Sequence, residues 1–264
     1  MRPRSHAPLR RATAPLVAKP VTDPIPAATL VLFRDGVAGP EHLFVERAAT
    51  MVFAGGALVF PGGRVDPGDR TLAARFPQFD LDDAAARIAA IRETIEETGV
   101  AVGIDGDVEV LRSALLGGAT MVTLTDHMGF ALDLDALVPF ARWCPNFKET
   151  RTFDTRFYIA RIDPGHAEAR VDATENVRLL WARAADVLGM ADAGDAKIIF
   201  PTRRNLERLA SLADYTAART HAALHAIKTI TPWIDDRDGA RRLCIPEGLG
   251  YPVTTEILER AVRG

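Results

Sequence analysis

The sequence predicts an α/β (α+β) fold, because strand-like and helix-like patterns both occur along it. Short apolar runs bounded by turn residues indicate strands, and the first of them spans residues 27–34. Ile88, Ile91 and Ile95 recur at helical spacing and form one apolar face that can bury against a sheet. A further apolar stripe within residues 201–212 predicts helices near the end of the chain.

Composition and charge restrict the class of protein. The chain has 264 residues, 48% of them hydrophobic and 25% charged, which is ordinary for a globular protein with a sizeable core. A formal net charge of −3 gives no sign of the overall positive charge that favours nucleic-acid binding. No apolar run approaches the length of a membrane span. Cys144 and Cys244 are too few for a disulfide framework, so we expect a reducing, cytoplasmic location.

The N-terminal residues 1–26 differ in character from the rest. They are rich in arginine and proline and have no acidic residue before Asp23. A basic disordered tail is the favoured interpretation. A transit peptide remains an alternative, which the prolines disfavour because they oppose an amphipathic helix.

Three strands are predicted before a glycine-rich turn. Residues 27–34 and 41–47 form a hairpin with a loop near Gly39-Pro40, and residues 57–60 form a third short strand. This third strand leads directly into the turn at residues 60–69, which contains Pro61-Gly62-Gly63.

Acidic side chains follow on the predicted helix that contains the three isoleucines. Glu93, Glu96 and Glu97 share one face, nearly opposite the isoleucines and pointing outward. Like charges at this spacing repel, so a bound cation is the natural compensation. Ligands that are all oxygen suit Mg²⁺ or Mn²⁺ better than zinc.

These residues resemble the Nudix box of the Nudix hydrolases. That pattern is Gly, five residues, Glu, seven residues, then Arg-Glu-aliphatic-any-Glu-Glu-any-Gly-aliphatic, and here Gly63, Asp69 and the run 92–100 correspond to it. Asp69 replaces the usual Glu, Thr94 replaces an aliphatic residue, and 22 residues rather than seven separate Asp69 from Arg92. The resemblance implies a Nudix-type α-β-α sandwich with a mixed sheet, and a hydrolase that cleaves diphosphate bonds.

The extra residues between the two halves of the box lengthen the preceding loop. We expect residues 70–91 to begin as a loop and then form the first turns of the helix, with Asp82 or Asp83 as its N-cap. Gly99 is expected to end the helix. The predicted organisation is a tail at 1–26, a Nudix hydrolase domain at 27–200 with an insertion at about 70–85, and a C-terminal helical extension at 201–264 packed on the same domain.

The resemblance also assigns roles to individual residues. Metal ligands are expected to be Glu93, Glu96, Glu97 and the backbone carbonyl of Gly62, with Arg92 pairing with the acids to fix their geometry. The expected catalytic residues are Arg92, Glu93, Glu97 and Glu175, and the expected substrate-binding residues are Arg47, Gly62 and Gly63. The general base stays unassigned among Glu93, Glu97 and a loop glutamate, either Glu175 or Glu149.

A second resemblance concerns the substrate. Arg47-Ala48, Gly56 and the turn at 60–63 partly match a motif of the coenzyme A diphosphatase branch, but Val52 stands where that motif has a second Arg. Short sequence elements within residues 143–158 are similar to those of the Nudix branch that carries an insertion in the box. Coenzyme A or an acyl-coenzyme A is therefore the expected substrate, and ADP-ribose, NADH or another nucleotide is the alternative. A non-catalytic domain that only senses a nucleotide is the alternative of a different class.

The remaining predictions concern residues 108–264. Residues 108–128 are expected to be helical with a break at Gly117-Gly118, and residues 137–143 to form an edge strand or an extended connection. Strands at 152–160 and 177–181, a helix from Pro201, a helix at 215–227 and a hairpin-like tail at 232–252 follow. His221 and His225 share a helical face, but without a third ligand zinc is disfavoured. The tail either covers the pocket of a small nucleotide substrate or contributes to a homodimer; neither nucleic acid nor membrane is an expected partner.

Overall fold

The computed structural model describes residues 23–51, 54–145, 152–162, 169, 176–237 and 239–261. Its strands are β1 (Ile25–Gly36), β2 (Gly39–Arg47), β3 (Leu58–Val59), β4 (Gly62–Arg64), β5 (Val138–Trp143), β6 (Phe153–Arg161), β7 (Asn176–Ala182), β8 (Thr229–Ile230), β9 (Trp233–Arg237), β10 (Ala240–Cys244) and β11 (Thr255–Ile257). Its α-helices are α1 (Pro67–Ala73), α2 (Leu81–Thr98), α3 (Val108–Leu116), α4 (Met121–His127), α5 (Ala184–Ala193), α6 (Phe200–Ala210), α7 (Tyr215–Leu224) and α8 (Leu258–Ala261). Residues 1–22 of the predicted tail lie outside the described residues.

The main sheet is mixed, as the sequence predicted. Strands run in the order β3-β2-β1-β6-β5-β8, with β4 added to β1 and β7 to β2. β1 and β6 are parallel, whereas β1 is antiparallel to both β2 and β4. The end of β1 pairs with β2 next to the turn that joins them, and the start of β1 pairs with β4. Because β3 pairs with β2, the chain passes from β2 to a place beside β1 between β3 and β4. The glycine-rich turn is thereby held in the sheet.

Helices cover both faces of this sheet. Side chains of a strand alternate between its faces, and Leu30 and Leu32 of β1 accordingly pack into a core that also contains Ile91 of α2. Val31 packs on the opposite face, in a core that contains Leu206 of α6. The result is the three-layer sandwich expected from the sequence.

Several element boundaries differ from the prediction. The N-cap of α2 is Asp80, whose carboxylate accepts the backbone N–H groups of Asp82 and Asp83, so the helix begins earlier than expected. The insertion was predicted to start as a loop, but its first residues belong to α1, because Pro67 occupies the first helical turn and favours a helix start. Helix α5 was not predicted.

The later segments largely follow the prediction. α3 and α4 are separated at Gly117, and β6, β7, α6 and α7 lie where the sequence placed them. β8 pairs only with the last two residues of β5. Pro139 lies in the part of β5 that has no described strand on its outer side, at a register shift against β6. Residues after α7 include a hairpin of β9 and β10, extended by β11. Within the described ranges, no helix has the length and apolar character needed to cross a membrane.

Candidate active site

Helix α2 brings the acidic side chains to the glycine-rich turn. Gly99 ends the helix in the left-handed conformation with a φ of 69°, which glycine adopts at little steric cost. The isoleucine face is fully buried, as expected. The acids, however, are not open to solvent: Glu97 is 7% exposed, and the side chains of Glu93 and Glu96 are 18% and 24% exposed. They are covered because the turn and Arg92 pack against them.

The two glycines of the turn make close contacts that a side chain would prevent. The Gly62 N–H donates a hydrogen bond of 3.0 Å to Oε2 of Glu97. A Cβ atom at Gly63 would lie 2.3 Å from Oε1 of Glu93, and one at Gly62 would lie 2.3 Å from the carbonyl oxygen of Ala28. Glycine is therefore required at Gly63 for Glu93 to approach the backbone, and at Gly62 for β4 to lie beside β1.

Arg92 connects the acids with β4 and with the first turn of α1. Its guanidinium donates to both oxygens of Asp69, at 3.2 and 3.0 Å, and to Oε1 of Glu93 at 2.8 Å. It also donates to Oε2 of Glu96 at 3.2 Å and to the carbonyl oxygen of Arg64 at 2.8 Å. This arrangement agrees with the expected pairing of Arg92 with the cluster.

The sequence alone indicated no role for Asp66, and none for Asp69 beyond its position in the Nudix box. Asp69 sits in the first turn of α1, accepts the Asp66 N–H at 2.9 Å and forms a buried ion pair with Arg92. Asp66 adds a longer contact of 3.7 Å to the same guanidinium. The run Asp66-Pro67-Gly68-Asp69 carried the signal, since an N-cap acid, an early proline and an acid at the third helical position mark a helix start.

Negative charge exceeds positive charge in this cluster. Burial, together with the charges of Glu97 and Glu96, raises the pKa of Glu93 to about 8 despite the neighbouring Arg92. Burial also raises the pKa values of Glu96 and Asp69. By formal charge, the single guanidinium of Arg92 faces the carboxylates of Asp69, Glu93 and Glu96.

The donor set fits a hard divalent cation, although it is not preassembled. In the described part of the chain, no three His, Cys, Asp or Glu side chains are grouped as a ready-made metal site. Arg92 Nη1 contacts both Glu93 and Glu96, while Glu97 is engaged by Gly62. Glu93 and Glu97 approach the turn, and Glu96 is joined to Glu93 through Arg92. All three offer only oxygen, which is the donor that Mg²⁺ and Mn²⁺ prefer.

The other predicted site residues lie farther from this cluster or outside the described residues. Arg47 ends β2, where its N–H donates to Ala57 at 3.1 Å and its carbonyl accepts from Gly56 at 3.0 Å. It therefore flanks the start of the segment that leads to the turn. Glu149 and Glu175 fall outside the described residues.

Comparisons with known proteins agree with this architecture. No family model matches the chain. It is 26% identical to nudix hydrolase 7 of Caenorhabditis elegans over 183 residues, which are 66% of this chain and 57% of that protein. It is 23% identical to an acyl-coenzyme A diphosphatase of Gallus gallus, covering 74% of this chain and 67% of that protein. The crystal structure of a NUDIX hydrolase from Alicyclobacillus acidocaldarius matches with a TM-score of 0.67 and 32% identity, over 76% of this chain and 97% of that one.

Proposed function

The chain belongs to the Nudix hydrolase family, and on this basis we propose that it hydrolyses the diphosphate bond of coenzyme A or an acyl-coenzyme A. The observation that carries the proposal is the contact of Glu93 and Glu97 with the Gly62-Gly63 turn, with Arg92 joining Glu93 to Glu96. The reaction would divide a nucleoside diphosphate derivative into two phosphate monoesters.

Nudix hydrolases generally use divalent metal ions, and this cluster supplies suitable ligands. Glu93, Glu96, Glu97 and the carbonyl of Gly62 would hold Mg²⁺ or Mn²⁺. A bound ion of this kind neutralises phosphate oxygens and acidifies a coordinated water. Arg92 orients the carboxylates through its fixed fork of donors.

The remaining residues act on the substrate and on proton transfer. Gly62 and Gly63, which lack a Cβ, let the main chain of the turn come close to the metal and to a phosphate group of the substrate. Glu93, Glu97 or a loop glutamate, either Glu175 or Glu149, accepts the proton of the attacking water. Arg47 contacts the nucleotide from its position at the end of β2.

Two features support coenzyme A as the substrate class. Arg47-Ala48, Gly56 and Phe60-Pro61-Gly62-Gly63 retain most of the coenzyme A diphosphatase motif. The relative from Gallus gallus, at 23% identity, is an acyl-coenzyme A diphosphatase.

The test is a comparison of three substrates with the full chain. Coenzyme A, ADP-ribose and NADH are incubated separately with Mg²⁺ or Mn²⁺, and the phosphate products are identified by mass spectrometry. We expect coenzyme A to be cleaved with the highest kcat/KM, giving phosphopantetheine and an adenosine bisphosphate. Preferential cleavage of ADP-ribose or NADH would overturn the substrate while keeping the reaction. Binding of all three without turnover would instead identify a nucleotide sensor.

A further inference from the structure

Arg204 of α6 is the centre of a buried ionic cluster between α6 and β11. Its side chain is fully buried. Its Nη2 donates to Oε1 of Glu207 at 2.7 Å and to Oε2 of Glu256 at 3.1 Å. Glu207 lies three residues further along the same helix, whereas Glu256 belongs to β11. One nitrogen atom thus donates to two carboxylates from different elements.

The polar atoms of this cluster are incompletely paired. Among the described residues, Oε2 of Glu207 is buried and has no hydrogen-bond partner, and the same holds for Nε and Nη1 of Arg204. A buried carboxylate oxygen without a donor is costly, because the water that would solvate it has been removed and not replaced. The geometry therefore disfavours a negative charge on Glu207.

The charged groups around Glu207 come from three elements. They are Arg203 and Arg204 of α6, Asp192 of α5 and Glu256 of β11. Arg203 pairs with Asp192 at 2.7 Å, which leaves Arg204 as the cation that Glu207 and Glu256 share. Burial raises the pKa of Glu207 to about 7 despite the two arginines, and the charges of Glu256 and Asp192 add to the rise. The protonation state of this cluster therefore changes near neutral pH.

Ionisation of Glu207 weakens the attachment of β11 rather than that of α6. Once ionised, Glu207 can accept a second donor of Arg204 through Oε2, because the two residues are neighbours on one helix. Glu256 is then a second negative charge beside it, and like charges at this distance repel. β11 has only three residues and lies at the edge of its sheet, and such segments open locally at low cost.

From this cluster we infer that Glu207 controls the attachment of β11 to α6 in response to pH. With Glu207 protonated, Arg204 binds Glu256 and holds β11 on α6. With Glu207 ionised, the two carboxylates compete for one guanidinium, and β11 opens more often. The cluster shares no residue with the proposed diphosphate site, so this inference does not depend on the proposed substrate.

The test is hydrogen exchange of the β11 amides in the full isotope-labelled chain, measured by NMR and corrected for the intrinsic exchange rate at each pH. The folded pKa of Glu207 lies above the ordinary value of 4.5, so the extra stability of closed β11 is complete below pH 4.5 and is lost as the pH rises through 7. We expect the opening constant of β11 to rise by at least about tenfold between pH 5.5 and pH 8, and the carboxyl ¹³C signal of Glu207 to titrate near pH 7. Opening that does not depend on pH, or titration of Glu207 near pH 4.5, would overturn the inference.

Two substitutions assign the pH response to this cluster. Glu207→Gln keeps an acceptor for Arg204 but does not ionise, so β11 should open equally rarely at pH 5.5 and at pH 8. Glu259→Gln, at an exposed carboxylate of α8, is the matched control and should keep the wild-type response. Glu256→Gln removes the competing charge, so the carboxyl signal of Glu207 should titrate at lower pH. A wild-type pH response in Glu207→Gln, or an unchanged titration of Glu207 in Glu256→Gln, would overturn the inference.

Discussion

Arg92 and Arg208 are both buried arginines on helices, yet their partners differ in charge. Arg92 is 7% exposed and contacts carboxylates, of which Asp69 and Glu93 lie at 3.0 and 2.8 Å. Arg208 on α6 is 1% exposed and contacts neutral groups: the carbonyl oxygen of Phe140 at 2.8 Å and Nδ1 of His221 at 3.3 Å. Its guanidinium also stacks 3.8 Å from the centre of the Phe140 ring.

Arg208 therefore belongs to the packed core, whereas Arg92 belongs to a cluster of carboxylates. The donors of Arg208 meet acceptors of the fold, and ring stacking covers the guanidinium. Arg92 faces several carboxylates, and burial, together with the charges of Glu97 and Glu96, raises the pKa of Glu93 to about 8. A divalent cation bound beside these carboxylates would balance their negative charge. Three predictions test this contrast, and a fourth tests the burial of His42.

The largest effect is expected from Glu97→Gln. The amide can still accept the Gly62 N–H, so the turn should keep its position, but the negative charge is lost. We expect kcat to fall by about 10²–10⁴-fold, the usual range for a positioned acid or base, with an unchanged circular dichroism spectrum. Glu247→Gln, at an exposed position, is the control. Near-normal turnover of Glu97→Gln at saturating Mg²⁺ would exclude this face as the catalytic one.

The second prediction is that Arg92→Met makes stability depend on metal. Removing the guanidinium leaves several carboxylates close together, and breaking a buried ion pair costs about 3–5 kcal/mol. Urea unfolding in EDTA should show this loss, and Mg²⁺ should restore more stability to the variant than to the wild type. If Mg²⁺ has the same effect on both proteins, the acids of α2 do not form the cation site.

The third prediction concerns pH and His42, which packs on the α6 side of the sheet. The unfolded histidine binds a proton below its ordinary pKa of 6.5, whereas burial holds the folded pKa at about 4. Stability is therefore lost as the pH falls from 6.5 to 4, by about 3 kcal/mol in total, and the contribution is constant above 6.5. Urea unfolding at pH 7 and pH 4 should show this extra loss relative to His42→Gln, which does not titrate. Equal losses in both proteins would contradict the assignment.

The smallest effect is expected from Arg208→Met. This change leaves the carbonyl of Phe140 without its donor, which costs about 2 kcal/mol, while the methionine keeps much of the packing. Unlike the loss in Arg92→Met, this one should be the same in EDTA and in Mg²⁺. The value of kcat for the folded variant should match the wild type. A metal-dependent loss here would remove the contrast between the two arginines.

Local patterns in the sequence were sufficient for much of the architecture and for the candidate acids. Helical spacing placed Glu93, Glu96 and Glu97 on one helix face. The glycine turn indicated where other groups of the site approach the backbone closely. Burial of Glu97 was not predicted, because the turn that covers it is distant in sequence and reaches it only through the pairing of β4 with β1. The roles of Glu175 and Arg47 remain predictions.

The sequence by itself determined which residues share a helix face or a strand, since 3.6-residue and two-residue periods are local properties of the chain. Tertiary structure alone decided which of those faces meet. Asp69 joins Arg92 across the insertion, and His42 lies opposite Ala182 because β7 pairs with β2. Contacts between segments far apart in the chain depend on the packing of whole layers, and no local pattern encodes that packing.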